Sequence, residues 1–477
     1  MNRRFLQDIV KGCYGRKIAY TNVEQITEAN VVQVIGSCIG AFYYNKTVIK
    51  YLWDYYKGDQ PILYRQKVTN EDITNRIVEN HAYEIVQFKV GQTYGEPIQF
   101  ISRKDDEVIN KAVDMLNDFM ADANKQEKDI KAGEWQSATG TSFKAIQPFS
   151  GEVPLRIVAP TPMNTFTIYQ EGTEEAILAV QELKDKNGKT YKLAFSDTKS
   201  FKIIDGKLEY SKLHTYGAIP IVEFPNNHER ISDIELVIGM LDAINNMQSN
   251  RMDGVEQFVQ YWIKFINCDI DQEEFEKMKE SHALTVKSNN SDNKSDVDIM
   301  TQELDQTQCQ VAKDDLWNNT LSILAIPNKQ GNTGGDTQGA VELRNGWDFS
   351  KTRAKLKDPI VKSAEKKLAY VALNVLKIAG IDLKLSIRDF NVQINHSPQD
   401  NMYTKAQTLT VLLQAGIHPL IAITTVGLWG DAEKTFNLSK PYLENLYKTI
   451  DDAESQQEKA KEIVNQMNKQ QNKAVTV

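Results

Sequence analysis

Cysteine is scarce: four residues in 477 (Cys13, Cys38, Cys268 and Cys309), with no CxxC among them. That excludes a disulfide framework or a cysteine zinc cluster and points to a reducing compartment. Long apolar runs are missing too. The most apolar stretch, Val31 to Tyr44, contains Gln33 and Ser37 and falls short of the roughly 20 residues a membrane span needs. The opening MNRRFLQDIVKGCYG has no apolar core for a signal peptide. The expectation is a soluble, cytoplasmic chain with no membrane contact. Positive charge is not in excess: 56 Lys and Arg against 64 Asp and Glu give a formal net charge of -8, which excludes a uniformly basic nucleic-acid binder. The six histidines (His81, His214, His228, His282, His396 and His418) make no HxxxH or HExxH, and Asp314-Asp315 and Asp451-Asp452 are isolated acidic pairs. Nothing forms a triad, an acid/base dyad or a metal cluster, so no catalytic residue, metal ligand or cofactor is assigned.

What is present is a change of texture along the chain. Residues 22 to 57 read as helix, stopped by Gly58. A second helical run starts near 70 and closes at Gly91 and Gly95-Glu96-Pro97. A third, 106 to 132, sets Ile109, Val113, Leu116 and Phe119 on one face. From about 142 to 224 the pattern is β, with Asn187-Gly188 and Asp205-Gly206 as hairpin turns. Ser232 and Glu235 stand at capping-box spacing before a helix expected to run to about Phe265. An acidic, poorly periodic excursion follows; Asn267 to Asp315 holds 13 Asp/Glu against 5 Lys, near -8. Helix resumes over about 307 to 325 and stops at Pro327. A long helix from about 338 to 380 is expected to kink at Pro359, and its stretch Arg344 to Lys367 has 8 Lys/Arg against 3 Asp/Glu, near +5. Leu383, Leu385 and Ile387, then Phe390, Val392 and Ile394, alternate as strand. Helices return after Pro398, with breaks at Gly416, Pro419 and Gly427 to Gly430. The tail from about Asp451 reads as frayed.

Two glycine-containing stretches imitate catalytic motifs. Within GNTGGDTQGA (331–340), Gly334 to Gly339 has the glycine spacing of a phosphate-binding loop, GxxxxGK(S/T), but Ala340-Val341 follow where lysine and hydroxyl are required. Gly36-Ser37-Cys38-Ile39-Gly40 copies a nucleophile elbow without the strand that should precede it. A loop as polar as 331–340 cannot bury itself; it is a solvated connector or a surface for a large, moving ligand.

Three blocks carry a family resemblance: YYKGDQPILYR (55–65), NRIVENHAYEIVQFKVGQTYGEPIQF (75–100) and YGAIPIVEFPNNHERISDIELVIGMLDAINNMQSNRMDGVEQF (216–258), the last with Asp242, Asn245 and Ser249 on its helix. In this order and spacing they resemble the portal proteins of tailed bacteriophages, of the siphophage type, over roughly residues 25 to 400. Thr337-Gln338-Gly339-Ala340 departs from the family's shorter loop before the long helix. The resemblance implies an α+β portal fold with a mainly helical wing, stem and crown and β-rich wing and clip segments. Residues 1–230 would form the wing, 231–266 and 307–326 the two stem helices, 267–306 the clip and 327–340 the tunnel loop. Residues 341–400 would hold the long kinked helix and a return strand, and 401–477 the crown and tail. It further implies a dodecameric ring at one capsid vertex, assembled in the host cytoplasm, a passive, non-enzymatic conduit for double-stranded DNA during packaging and ejection. Its partners would be the terminase large subunit, a head-completion adaptor, and the major capsid and scaffolding proteins. Lys329, Asn332, Thr333, Asp336, Thr337 and Gln338 would face DNA; Glu273, Glu274, Asp292, Asp296 and Asp298 would meet clip partners.

Elementary geometry is compatible with this. Twelve helices about 10 Å apart, each about 10 Å across, close on a bore near 28 Å, wide enough for a duplex. A neutral or acidic lining avoids the tight, counterion-releasing phosphate contacts that would resist sliding. Lys329 is either a transient phosphate contact or a charge suited to a helix C-terminus, and the acidic excursion is either a partner surface or a solvated insertion. Another head–tail adaptor ring, or a nucleic-acid enzyme with an unrecognised site, remains an alternative.

Overall fold

The computed structural model describes residues 7–8, 10–67, 73–103, 106–259, 262–266, 273, 276–277, 296–300, 306–328, 346–396, 402–428, 432 and 435–442. The chain divides into two units, Met1–His396 and Ser397–Val477.

The first unit is α+β, with its longest helix shared between two cores. Helix α1 (Val31–Tyr56) places Val31, Val34, Ile35, Cys38 and Phe42 against Phe166, Ile168, Leu178, Val180 and Phe201 of a six-stranded sheet. Further along the helix, Val48, Tyr51, Leu52, Tyr55 and Tyr56 enter the main core. One apolar stripe at helical spacing thus serves both layers. The sheet runs β1 (Ala19–Thr21), β5 (Thr165–Gln170), β6 (Ala176–Lys184), β7 (Thr190–Phe195), β8 (Lys199–Ile204) and β9 (Lys207–Leu213) in that order; only β1 joins its neighbour in parallel. Both expected hairpin turns are present: Gly188 has φ 78°, and Asp205 and Gly206 have φ 49° and 75°, the left-handed pair such two-residue turns require.

The main core gathers helices α2 (His81–Tyr94), α3 (Glu107–Asp122), α4 (Lys125–Thr139) and α8 (Asp358–Ile378) around a three-stranded sheet of β10 (Ile221–Pro225), β3 (Thr141–Pro148) and β4 (Leu155–Val158). A two-stranded pair, β2 (Gln99–Ser102) with β13 (Phe390–Gln393), ties the end of the unit to its beginning. Asp106 caps α3 by accepting from the Val108 and Ile109 amides. At Ser232 the expected reciprocal bonds form, with the Ser232 amide donating to Glu235 and the Ile234 amide to the Ser232 hydroxyl, but they close a turn and the helix itself begins only at Ile238.

Several boundaries differ from the sequence reading. Helix α1 starts at Val31, not 22, because Ala19–Thr21 is drawn into the sheet beside β5. The third run is two helices, broken where Asn124 takes φ 56°. Pro359 does not kink a continuous helix. It opens α8, and α7 (Trp347–Lys355) ends before it, since proline's missing N–H costs nothing in a first turn. Leu383, Leu385 and Ile387 are not in a strand; only Phe390–Gln393 is. The second run does not begin near 70: residues 73–80 are extended, and α2 starts at His81.

The second unit, in its described part, has α9 (Met402–Gln414) and α10 (Pro419–Val426), broken at Gly416 (φ 79°) and ended at Gly427 (φ 60°), as the sequence suggests. Among the described residues, no helix is long and apolar enough to cross a membrane. The tail from Asp451 lies outside them.

Candidate functional site

The candidate site is a pair of antiparallel helices and the way the body holds them. Helix α5 (Ile238–Val259) runs out and α6 (Gln306–Leu324) runs back. Their cross-links fix the antiparallel sense: Thr320 donates to the Met240 sulfur at 3.5 Å near one end, and Arg251 donates to Gln310 at 2.8 Å near the other. Beyond α5 the chain turns to strand. β11 (Trp262–Ile266) pairs antiparallel with β12 (Asp296–Met300), with Ile266 opposite Asp296 and Lys264 opposite Asp298. The first helix therefore stops at Val259, short of the expected 265, and a two-stranded ribbon closes the base of the excursion.

The body grips α5 through side chains that sequence periodicity alone does not explain. Asn245, Ser249 and Asp253 lie four residues apart, hence on one face, and all three are buried. Segment 73–80 runs antiparallel along that face. The Asn75 amide donates to Asp253 Oδ1 at 2.6 Å, the Ile77 amide to Ser249 Oγ at 3.0 Å and the Glu79 amide to Asn245 Oδ1 at 2.8 Å. Every second amide of an extended strap thus meets every fourth side chain of a helix. Asn245 also receives the Gln60 side chain as a partner, and Asp253 that of Lys67, with Arg65 Nη1 3.6 Å away. Burial alone would raise the Asp253 carboxyl; the Lys67 ammonium and the Asn75 N–H groups outweigh it and hold it below the usual carboxylate value. At the other end of the stripe, Asp242 accepts from the Tyr55 hydroxyl at 3.0 Å and from Gln7 at 2.7 Å.

The same region holds α6. Lys313 donates to Glu79 at 2.6 Å, His81 stacks on Trp317 with ring centres 3.9 Å apart, and Lys89 caps the helix by donating to the Leu324 carbonyl. Away from the body, α6 exposes Gln308, Val311, Ala312, Asp315, Asn318, Asn319, Ser322 and Ile323, a face that mixes neutral polar and apolar residues and carries one charge.

Of the expected DNA-facing residues, Lys329, Asn332, Thr333, Asp336, Thr337 and Gln338 lie outside the described residues, as do Glu274 and Asp292 of the expected partner surface. Glu273 is exposed and pairs with Lys277 at 2.9 Å; Asp296 and Asp298 are placed two apart on β12. What the sequence reading missed is the strap, and its signal was present: Asn, Ser and Asp at i, i+4 and i+8 are weak helix formers, out of place on a buried helical face. Cys38 lies buried inside α1, and burial raises its thiol, the reverse of an activated nucleophile. Among the described residues no three His, Cys, Asp or Glu side chains converge on a metal position.

No curated protein matches the sequence. Solved structures are similar to the chain at low identity. The neck of an empty GTA particle computed with C6 symmetry is 10% identical, over 73% of this chain and 90% of that one, with TM-score 0.45. The virion of a native gene transfer agent particle is 10% identical, over 80% and 93%, at 0.47. The neck of a native GTA particle computed with C12 symmetry is 11% identical, over 73% and 89%, at 0.46. Residues 36–425 match the family described as "Phage portal protein, SPP1 Gp6-like", which is most of the chain. The chain belongs to that phage portal protein family.

Proposed function

We propose that this portal protein works as a dodecameric ring at one capsid vertex, with α5 and α6 of each copy lining a passive bore for double-stranded DNA. The observation that carries the reading is the antiparallel helix pair, fixed to the body along one face and bearing an outward stripe with few charges. Such a stripe offers a sliding duplex weak, evenly spaced contact. On this reading residues 1–230 with 341–400 form the wing, α5 and α6 the stem, and 401–477 the crown. The ribbon of β11 and β12 is the root of the clip, where Glu273, Glu274, Asp292, Asp296 and Asp298 meet the terminase large subunit and later the head-completion adaptor. Residues 327–340 form the tunnel loop, with Lys329, Asn332, Thr333, Asp336, Thr337 and Gln338 toward DNA. The ring is structural and non-enzymatic, assembles in the host cytoplasm and contacts capsid and scaffolding proteins as the head closes.

Multi-angle light scattering of the purified protein tests the assembly. Twelve copies of a 54.2 kDa chain give about 650 kDa. Only monomers and dimers at every concentration, with and without scaffolding protein, would contradict the proposal.

A further inference from the structure

We infer that Asn245, Ser249 and Asp253 are positioning residues of the channel, which set the rotation and axial position of α5 through the strap 73–80. This rests on the reading that α5 lines the bore. The geometry explains why a strap can do this. Four helical residues rise about 6.0 Å and two extended residues about 6.6 Å, so successive rungs stay in step, with a drift of roughly 1.2 Å over three rungs. Four residues also turn the helix about 40° past a full circle, so the stripe is narrow and tolerates little rotation. A slip by one rung in one direction would set the Glu79 amide against Leu241, which has no side-chain acceptor. The three side chains accept hydrogen bonds from main-chain amides, so the rungs depend on the helix's side chains, and Asn75 adds its own side-chain amide to Asp253 at 3.0 Å.

The strap is itself fixed at both ends. On one side Lys67 donates to the Ile73 carbonyl at 3.3 Å while pairing with Asp253. On the other, Asn80 donates to the Tyr56 carbonyl at 3.0 Å and accepts from Gln60 at 3.0 Å, tying the strap to the end of α1. Glu79, the last rung, also carries the Lys313 contact from α6. One short segment therefore registers both helices of the pair against the body, and the surface α5 turns outward, including Asn246 and Glu256, follows from that register.

The test uses full-length rings of Ser249→Ala, Asn245→Ala/Ser249→Ala and the conservative Ser249→Thr. Amide exchange across 73–80 should speed up about tenfold in Ser249→Ala, the loss of one buried hydrogen bond, while Ser249→Thr stays slow. In reconstructions the α5 axis should rotate or shift relative to the body in the two alanine variants and return in Ser249→Thr, and DNA-filled heads should fall about tenfold and recover in parallel. If exchange accelerates while the α5 axis stays where it is in the wild type, the strap is structural filler and the inference is wrong. If the double variant fails to fold, Ser249→Ala alone carries the comparison. A bore lined by elements other than α5 would sink the channel reading, and is seen in the same maps independently of whether α5 has moved.

Discussion

Single residues show how this chain places charge where it matters. His396 closes the first unit, and both its ring nitrogens face acceptors: the Gln92 carbonyl at 2.9 Å and Asp358 Oδ1 at 2.7 Å. A ring donating at both nitrogens is the imidazolium. Burial works against that charge, but the Asp358 carboxylate and the Gln92 carbonyl outweigh it and raise the His396 value above that of an ordinary imidazole; Lys355 opposes them, and Lys362 shares Asp358 at 3.6 Å. A group whose value is raised on folding stabilises fully below its unfolded value and loses that contribution as pH rises through the folded one. Urea unfolding of wild type against His396→Gln should show a gap of about 1.5–3 kcal/mol near pH 6, the worth of charged hydrogen bonds, shrinking at higher pH. A gap that grows with pH would contradict the imidazolium. Nothing in the sequence marks this histidine, because both its partners are distant in the chain. The reciprocal bonds at Ser232 and the two glycine turns were legible, because their partners lie within three residues.

At the scale of elements, a closed ion quartet fastens three of them together. Lys125 and Asp129 of α4, Lys144 of β3 and Glu365 of α8 are all buried, with Lys144 bridging both carboxylates and Lys125 3.1 Å from Glu365. Replacing Lys144 by Met leaves two buried carboxylates with one lysine, and should cost about 3–5 kcal/mol in chemical denaturation. An unchanged midpoint would mean that the quartet adds nothing. Element type was readable wherever apolar periodicity decides it, as along α1 and β5 to β8. It was misread where a local pattern is overruled by a distant partner. Residues 73–80 carry helix-compatible side chains, yet their amides are taken by Asn245, Ser249 and Asp253, and an extended chain is what presents alternate amides to one face. Pro359 was rightly seen as a disruption, but its effect is to start a helix rather than bend one.

On the scale of the whole molecule, α1 bridges the two larger cores of the described residues, and from the body the helix pair leads to the β11–β12 ribbon. A portal must combine a rigid outer body with a surface that does not grip what passes through it, and on the proposed reading the two tasks fall to different elements. The family could be read from three sequence blocks because each maps onto the body and its anchored helix: 55–65 onto the end of α1, 75–100 onto the strap with α2, and 216–258 onto β10 with α5. The most direct test is a cryo-electron-microscopy reconstruction of the assembled protein. A closed ring with countable rotational symmetry is expected, with one helix of each copy's α5–α6 pair facing a bore near 28 Å wide, as about twelve helices at ordinary packing distance require. A closed bore, or one walled by the six-stranded sheet with the helix pair turned outward, would contradict it.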